Sequence, residues 1–158
     1  MATRGEQLAT QFEAANKQFI TTVESMSATD WKKICTAEGW PVNVTAHHAA
    51  ESIGGLTGLV QMLAEQGQVP PFTLDQINSG NAEHAVRAVD VTKDEVLALA
   101  RTGGEKAASY LRGLTDEQLA KSAALPLMGG ATFSAQQLAE TLLIGHLAGH
   151  GQSLTVTS

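Results

Sequence analysis

Four stretches of this chain set their larger apolar residues three or four positions apart, and that spacing restricts the fold more than any other feature. From about Arg4 to Met26 they fall at Leu8, Phe12, Phe19, Val23 and Met26, with Ala15 between, which predicts one amphipathic helix. A second helix is predicted from about Asn43 to Glu65, where Val44, His48, Ile53, Leu56, Leu59, Val60 and Leu63 recur near the helical period. Gly67 and Pro70-Pro71 end it. Thr92 with Glu95 forms a capping box that opens a third helix running to about Leu114, and Ser134 with Gln137 opens a fourth over about 134–151. Between them Thr115 and Gln118 predict a short helix, and Leu125 to Gly130 a turn or small hairpin. Ser27 to Pro41 reads as a structured loop with one helical turn near Asp30 and Trp31. Between Thr73 and Val89 the helical pattern is interrupted at Asn78 to Asn81, which predicts one or two short, bent helices. The sum is an all-α four-helix bundle in one domain spanning residues 1–158.

Composition supports a packed core. Of 158 residues, 43% are apolar and 16% charged, which excludes a disordered chain or a charge-rich coiled coil. Its 24 alanines and 15 glycines allow helices to approach closely. A net charge of -6 has the wrong sign for a phosphate-binding surface, so nucleic acid is not an expected partner. A lone Cys35, no secretory leader pattern and no apolar run of about 18 residues point to a cytoplasmic protein without a membrane span.

Five histidines then require explanation. Leu138, Leu142, His146 and His150 lie four apart, in one row that continues a core stripe of the fourth helix. Two imidazoles so spaced can converge on one ion, as in the zinc-binding H-E-x-x-H helix, although the catalytic Glu of that motif is absent. Gly145 and Gly149 leave room beside them. His48 sits on the apolar stripe of the second helix, whereas His47 points about 100° away and reads as a rim or supporting residue. His84 reads as an exposed residue of the irregular segment.

For His48 to meet His146 and His150, the second and fourth helices must run antiparallel. The connection of about 27 residues from Gln66 to Thr92 permits this, because it is long enough to return along a helix and start the third parallel to the second. The expected order is therefore down, up, up, down, with the long crossover between helices two and three.

Trp40 stands eight residues before His48 at the entrance to the second helix, and His146-Leu147-Ala148-Gly149-His150 gives H-x-x-x-H on the last, followed by Gln152. With the long crossover, these motifs resemble the DinB-like family of metal-binding four-helix bundles over nearly the whole chain. The chain departs from the family pattern at Pro41, where a Ser or Thr cap is usual, and at Val44 and Thr45, where acidic or large apolar residues are common. The resemblance implies a divalent metal on His48, His146 and His150, and a small-molecule reaction. Related families include thiol S-transferases and isomerases that use mycothiol or bacillithiol, so a low-molecular-weight thiol is the implied cosubstrate. Small-residue faces and the resemblance together imply a homodimer.

Three neutral imidazoles suit zinc or nickel, and also accept iron or manganese, while adding no negative charge to the ion. Such a site activates a hydroxide or a thiolate. A di-iron centre needs Glu-x-x-His pairs, and no histidine here has an acid three residues before it. Cys35 reads as a buried thiol rather than a nucleophile, and Glu51 either orients a ligand or is a solvated helix charge. Two functions are therefore expected to compete: a metal-dependent thiol S-transferase or related hydrolase, and a noncatalytic dimeric bundle, metal-binding or degenerate, with a stress-related or structural role.

Overall fold

The computed structural model describes residues 1–158. Its long helices are α1 (Arg4–Ser25), α2 (Val42–Gln66) and α4 (Lys93–Arg112), followed by a last helix that is continuous from Ala135 to Ser153. That last helix consists of α6 (Ala135–Leu138), a π-helical turn (Ala139–Ile144) and α7 (Gly145–Ser153). Helix α3 (Leu74–Arg87) lies in the long crossover, and α5 (Asp116–Ala120) leads into a hairpin of β1 (Ser122–Leu125) and β2 (Ala131–Ser134). The hairpin pairs antiparallel from Ser122 with Ser134 to Leu125 with Ala131. No helix is long and apolar enough to cross a membrane.

Helices α1 and α2 each pack between α4 and the last helix. Arg101 of α4 bonds Glu24 late in α1, and Arg112 bonds Glu13 nearer its start, so these two run antiparallel. Tyr110 near the end of α4 reaches Glu65 near the end of α2, so those two run parallel. The down, up, up, down order follows, and the crossover carries the chain back.

The predicted caps form where the side chains permit them. Thr92, Thr115 and Ser134 each accept from the backbone N–H three residues on, and the Glu or Gln there accepts from the cap's own N–H. Thr3 with Glu6 and Thr73 with Gln76 add two more boxes. The second of these makes 74–87 one regular helix where interruption was expected, because Asn78, Ser79 and Gly80 lie on its solvent side. Helix α2 starts without a side-chain cap, since Pro41 stands at that position.

The core is built from Leu8, Phe12, Phe19 and Val23 of α1, Ile53, Val60 and Leu63 of α2, and Leu138, Leu143 and Leu147 of the last helix. Two glycines explain how α1 and α4 come so close. A Cβ on Gly5 would stand 2.6 Å from the Leu111 carbonyl oxygen, and one on Gly104 would overlap Asn16 Nδ2. Asn16 is buried there and donates to the Ala100 carbonyl at 2.9 Å, which satisfies its amide nitrogen inside the core.

Candidate metal centre

The start of α2 and the end of α7 meet at one end of the bundle, and His48, His146 and His150 meet with them. One ligand atom from each imidazole lies within 4.8 Å of the others. His48 Nε2 and His146 Nε2 are 3.2 Å apart. Two nitrogens on a tetrahedral ion, with bonds of about 2.0–2.1 Å, stand about 3.3 Å apart, so the pair already has the spacing an ion requires. Burial, then the nearby His146 and His150, pushes the His48 imidazole down to about 3. Burial, then His150, pushes His146 down to about 4. Both rings are therefore neutral near pH 7, the form that offers a lone pair to a metal.

The π turn determines which way the two last histidines face. A regular helix would align Leu138, Leu142, His146 and His150 in one core row. In the structure the core residues step by five, from Leu138 to Leu143, and then by four to Leu147. Leu142, His146 and His150 form a separate, half-buried row that turns toward α2. The expectation that the histidines continue the core stripe is corrected accordingly, the cause being one extra residue in the turn. Gly145 serves that turn as well: its N–H donates to the Glu140 carbonyl, and a Cβ would stand 3.3 Å from the same oxygen. Gly149 is exposed, and a Cβ there meets nothing within 4 Å, so the space beside it is open as expected, whereas Gly145 is required by the turn itself.

Glu38 is the residue sequence reasoning missed. Its Oε1 lies 2.8 Å from His150 Nδ1, with the two side chains only 14% and 19% exposed. This contact leaves the lone pair of His150 Nε2 free and orients the ring, as a carboxylate behind a metal-binding histidine does. Gly39 makes it possible. With φ at +70°, it turns the chain so that its N–H reaches the Cys35 carbonyl while Cys35 N–H reaches that of Trp40. Glu38 is thereby held on His150, and Trp40 is held edge-on to His48 at a centroid distance of 5.5 Å. The available signal was an acid beside the Gly39-Trp40 turn that precedes the first histidine helix. The site thus has a negative charge after all, one residue behind the imidazoles.

His84 also departs from expectation. It is 3% exposed, in the last turn of α3, where the regular helix aims it at α2. Its Nε2 shares a hydrogen bond of 2.7 Å with His47 Nδ1, and the rings stack. Glu51 completes a second group whose ligand atoms lie within 4.8 Å of one another. Arg87 occupies that carboxylate, however, donating to both oxygens at 3.1 and 3.3 Å. Burial alone would raise the Glu51 carboxyl, and this guanidinium holds it below its ordinary value. We read this group as a polar clasp between α2 and α3 that supports His48 from behind. Trp31 Nε1 donates to the Val91 carbonyl at 3.1 Å and Asn43 Nδ2 to that of Val89 at 2.8 Å, fixing the crossover's end to the same region. Cys35 is fully buried, and burial pushes its thiol up, the reverse of what a nucleophile needs.

Known structures share this fold. YfiT from Bacillus subtilis, described as a probable metal-dependent hydrolase with an unusual four-helix bundle topology, superposes with a TM-score of 0.74 at 18% identity, over 96% of this chain and 83% of that one. The mycothiol-dependent maleylpyruvate isomerase superposes with a TM-score of 0.73 at 14% identity, over 99% of this chain and 64% of the isomerase. A histidine-to-alanine mutant of that isomerase gives 0.75 at 12% identity, over 100% and 65%. This chain therefore spans just under two thirds of the isomerase's length. No curated protein matches it. The sequence profile of the DinB superfamily matches residues 6–154, and the chain belongs to that superfamily.

Proposed function

We propose that this protein is a divalent-metal-dependent enzyme that acts on a small molecule, with His48, His146 and His150 holding the ion. The observation that carries this reading is the convergence of three imidazole donor atoms within 4.8 Å, on two antiparallel helices, with Glu38 behind one of them. All-nitrogen donors of this kind favour zinc or nickel over iron or manganese. An ion of that kind supplies Lewis acidity, which lowers the pKa of a thiol or water brought to it.

The protein's own groups account for the rest. His48 and His146 stay neutral and keep their lone pairs available. Glu38 holds the His150 ring in one tautomer and places a negative charge behind it. Trp40 covers one side of His48, limiting the approach of water. Superposition on a probable metal-dependent hydrolase and a mycothiol-dependent isomerase supports a thiol S-transferase or a related hydrolase, with a low-molecular-weight thiol as cosubstrate in the first case.

A second reading, a noncatalytic dimeric bundle, is favoured by the outer face at the end of the crossover, where Val86 is 77% and Val89 53% exposed. Metal analysis of untagged protein after incubation with zinc or nickel is the first test, and thiol conjugation by the loaded protein then separates the enzyme from a metal-binding but noncatalytic bundle. The enzyme reading expects one ion per chain in wild type and none in His146→Ala, with the helical circular dichroism unchanged. Wild-type protein that acquires no ion would refute it.

A further inference from the structure

A helix in a four-helix bundle needs one apolar face, and α2 has two. Ile53, Val60 and Leu63 form the first and are buried in the core. Leu56, Leu59 and Met62 form the second, only half-buried, and they face a cavity of about 800 Å³ between α2 and the crossover. That volume lies within the range of small-molecule sites. His48 and His146 line one end of it, so the cavity is continuous with the three-histidine centre.

Shape and charge restrict what fits. From Ser52 to Gln66 the wall follows about 21 Å of helix, giving a long groove. Gly55 and Gly58 are part of that wall, and a Cβ on either would meet nothing within 4 Å. Glycine inside a helix is unfavourable by about 1 kcal/mol relative to alanine, and here it leaves a channel in the floor. The opposite wall is Phe72, Leu74 and Ile77, which are 44%, 59% and 38% exposed. No lysine or arginine lines the groove, and its one acid, Glu65, is at the end away from the histidines. An anionic group along the length of a ligand would find no cation there.

We infer that the substrate carries an extended, uncharged apolar arm of the alkyl or acyl type, which lies along α2 while its polar reactive head sits at His48 and His146. This rests on the metal-centre reading above and adds the substrate class to it. The occupant follows from continuity: the groove opens onto the centre at one end, it is lined with apolar side chains, and the sole charge on its wall is remote from the head.

The test uses zinc-loaded full-length protein and a series of straight-chain hydroxamates, acetyl, hexanoyl and decanoyl, whose head groups bind metal equally. Each buried methylene strengthens binding roughly fourfold. Because the groove is open along one side, the expected gain from acetyl to hexanoyl is on the order of tenfold or more. Gly58→Phe and, independently, Gly55→Phe fill the channel and should reduce the hexanoyl-to-acetyl ratio toward one. Both replacements favour the helix, so retained melting temperature is expected alongside. Equal affinity for all three hydroxamates, with zinc bound, would overturn the apolar arm and leave the metal centre standing. A wild-type ratio retained in both variants would also overturn it, placing the chain elsewhere. Protein that acquires no zinc would overturn both readings, and metal analysis shows this before any hydroxamate is added.

Discussion

Replacing Glu38 by Ala tests the centre without touching a ligand. The carboxylate accepts from His150 Nδ1 at 2.8 Å, and both side chains are largely buried. An ion held by the other nitrogen of that imidazole would lie about 6–7 Å from the carboxylate, where attraction between -1 and +2 charges would be about 1 kcal/mol at the dielectric of water and about 5 at an effective value of 20. Loss of the partner behind a metal-binding histidine commonly weakens metal affinity 10–100-fold, or about 1.4–2.8 kcal/mol, which falls between those limits. Glu38→Ala should therefore weaken zinc binding by that factor in a chelator competition, and Glu38→Gln, which keeps an acceptor oxygen but not the charge, should fall between it and wild type. The metal-free protein should behave differently. Glu38 Oε2 is buried without a partner while Oε1 holds His150 Nδ1, so removing the carboxylate relieves one unpaired atom and frees another, and the melting temperature should change little. Zinc affinity within twofold of wild type in Glu38→Ala would refute the argument, as would a large loss of metal-free stability.

Three further outcomes are expected. Gly104→Ala places a methyl on Asn16 Nδ2 and must displace the buried amide, so it should destabilise the fold by about 1–3 kcal/mol in urea unfolding, with no comparable effect in Gly103→Ala, whose Cβ meets only Ile53 at 3.6 Å. Gly39→Ala meets no atom within 4 Å but must hold φ at +70°, which costs about 1–2 kcal/mol and should lower the melting temperature by a few degrees while weakening zinc binding through displaced Glu38. For pH, His48 is pushed down to about 3 and His146 to about 4 from 6.5, so between those limits the unfolded chain binds protons that the folded chain does not. Metal-free protein should thus lose stability steadily as pH falls from about 6.5 toward 4, and His48→Gln should flatten that slope; an unchanged slope would count against the burial of His48 as its cause.

Much of the fold was legible because its signals are local. Thr92 with Glu95 and Ser134 with Gln137 mark helix starts by chemistry contained within four residues, and the length from Gln66 to Thr92 was enough to imply the crossover. The row of His146 and His150 and the Trp40 spacing likewise pointed to the end of the bundle where three histidines come together. Thr73 with Gln76 carries the same signal as the other boxes, and the polar run after it obscured a regular α3, and with it the burial of His84. Glu38 was legible only as an acid beside Gly39-Trp40, since its role depends on a left-handed glycine bringing together residues 112 positions apart in the chain. The second apolar face of α2 was present in the periodicity as Leu56 and Leu59, but only the packing separates a core stripe from a groove wall.

The π turn at Ala139–Ile144 makes the last helix one residue longer than its path requires. Leu138 and Leu143 occupy places that four residues would join in regular winding, and the wider turn takes up the fifth. Removing one exposed residue there, Glu140 or Thr141, would let the turn wind regularly while Leu143, Leu147 and both histidines keep their places. Removing one from the regular part, such as Ala148, would instead swing His150 about 100° around the helix, away from His146. The turn is therefore slack in the register, held upstream of the ligands. This chain shortened by one residue between the Ser134 cap and His146 is therefore expected to bring the same three histidines together. The three residues between His146 and His150 have no such freedom.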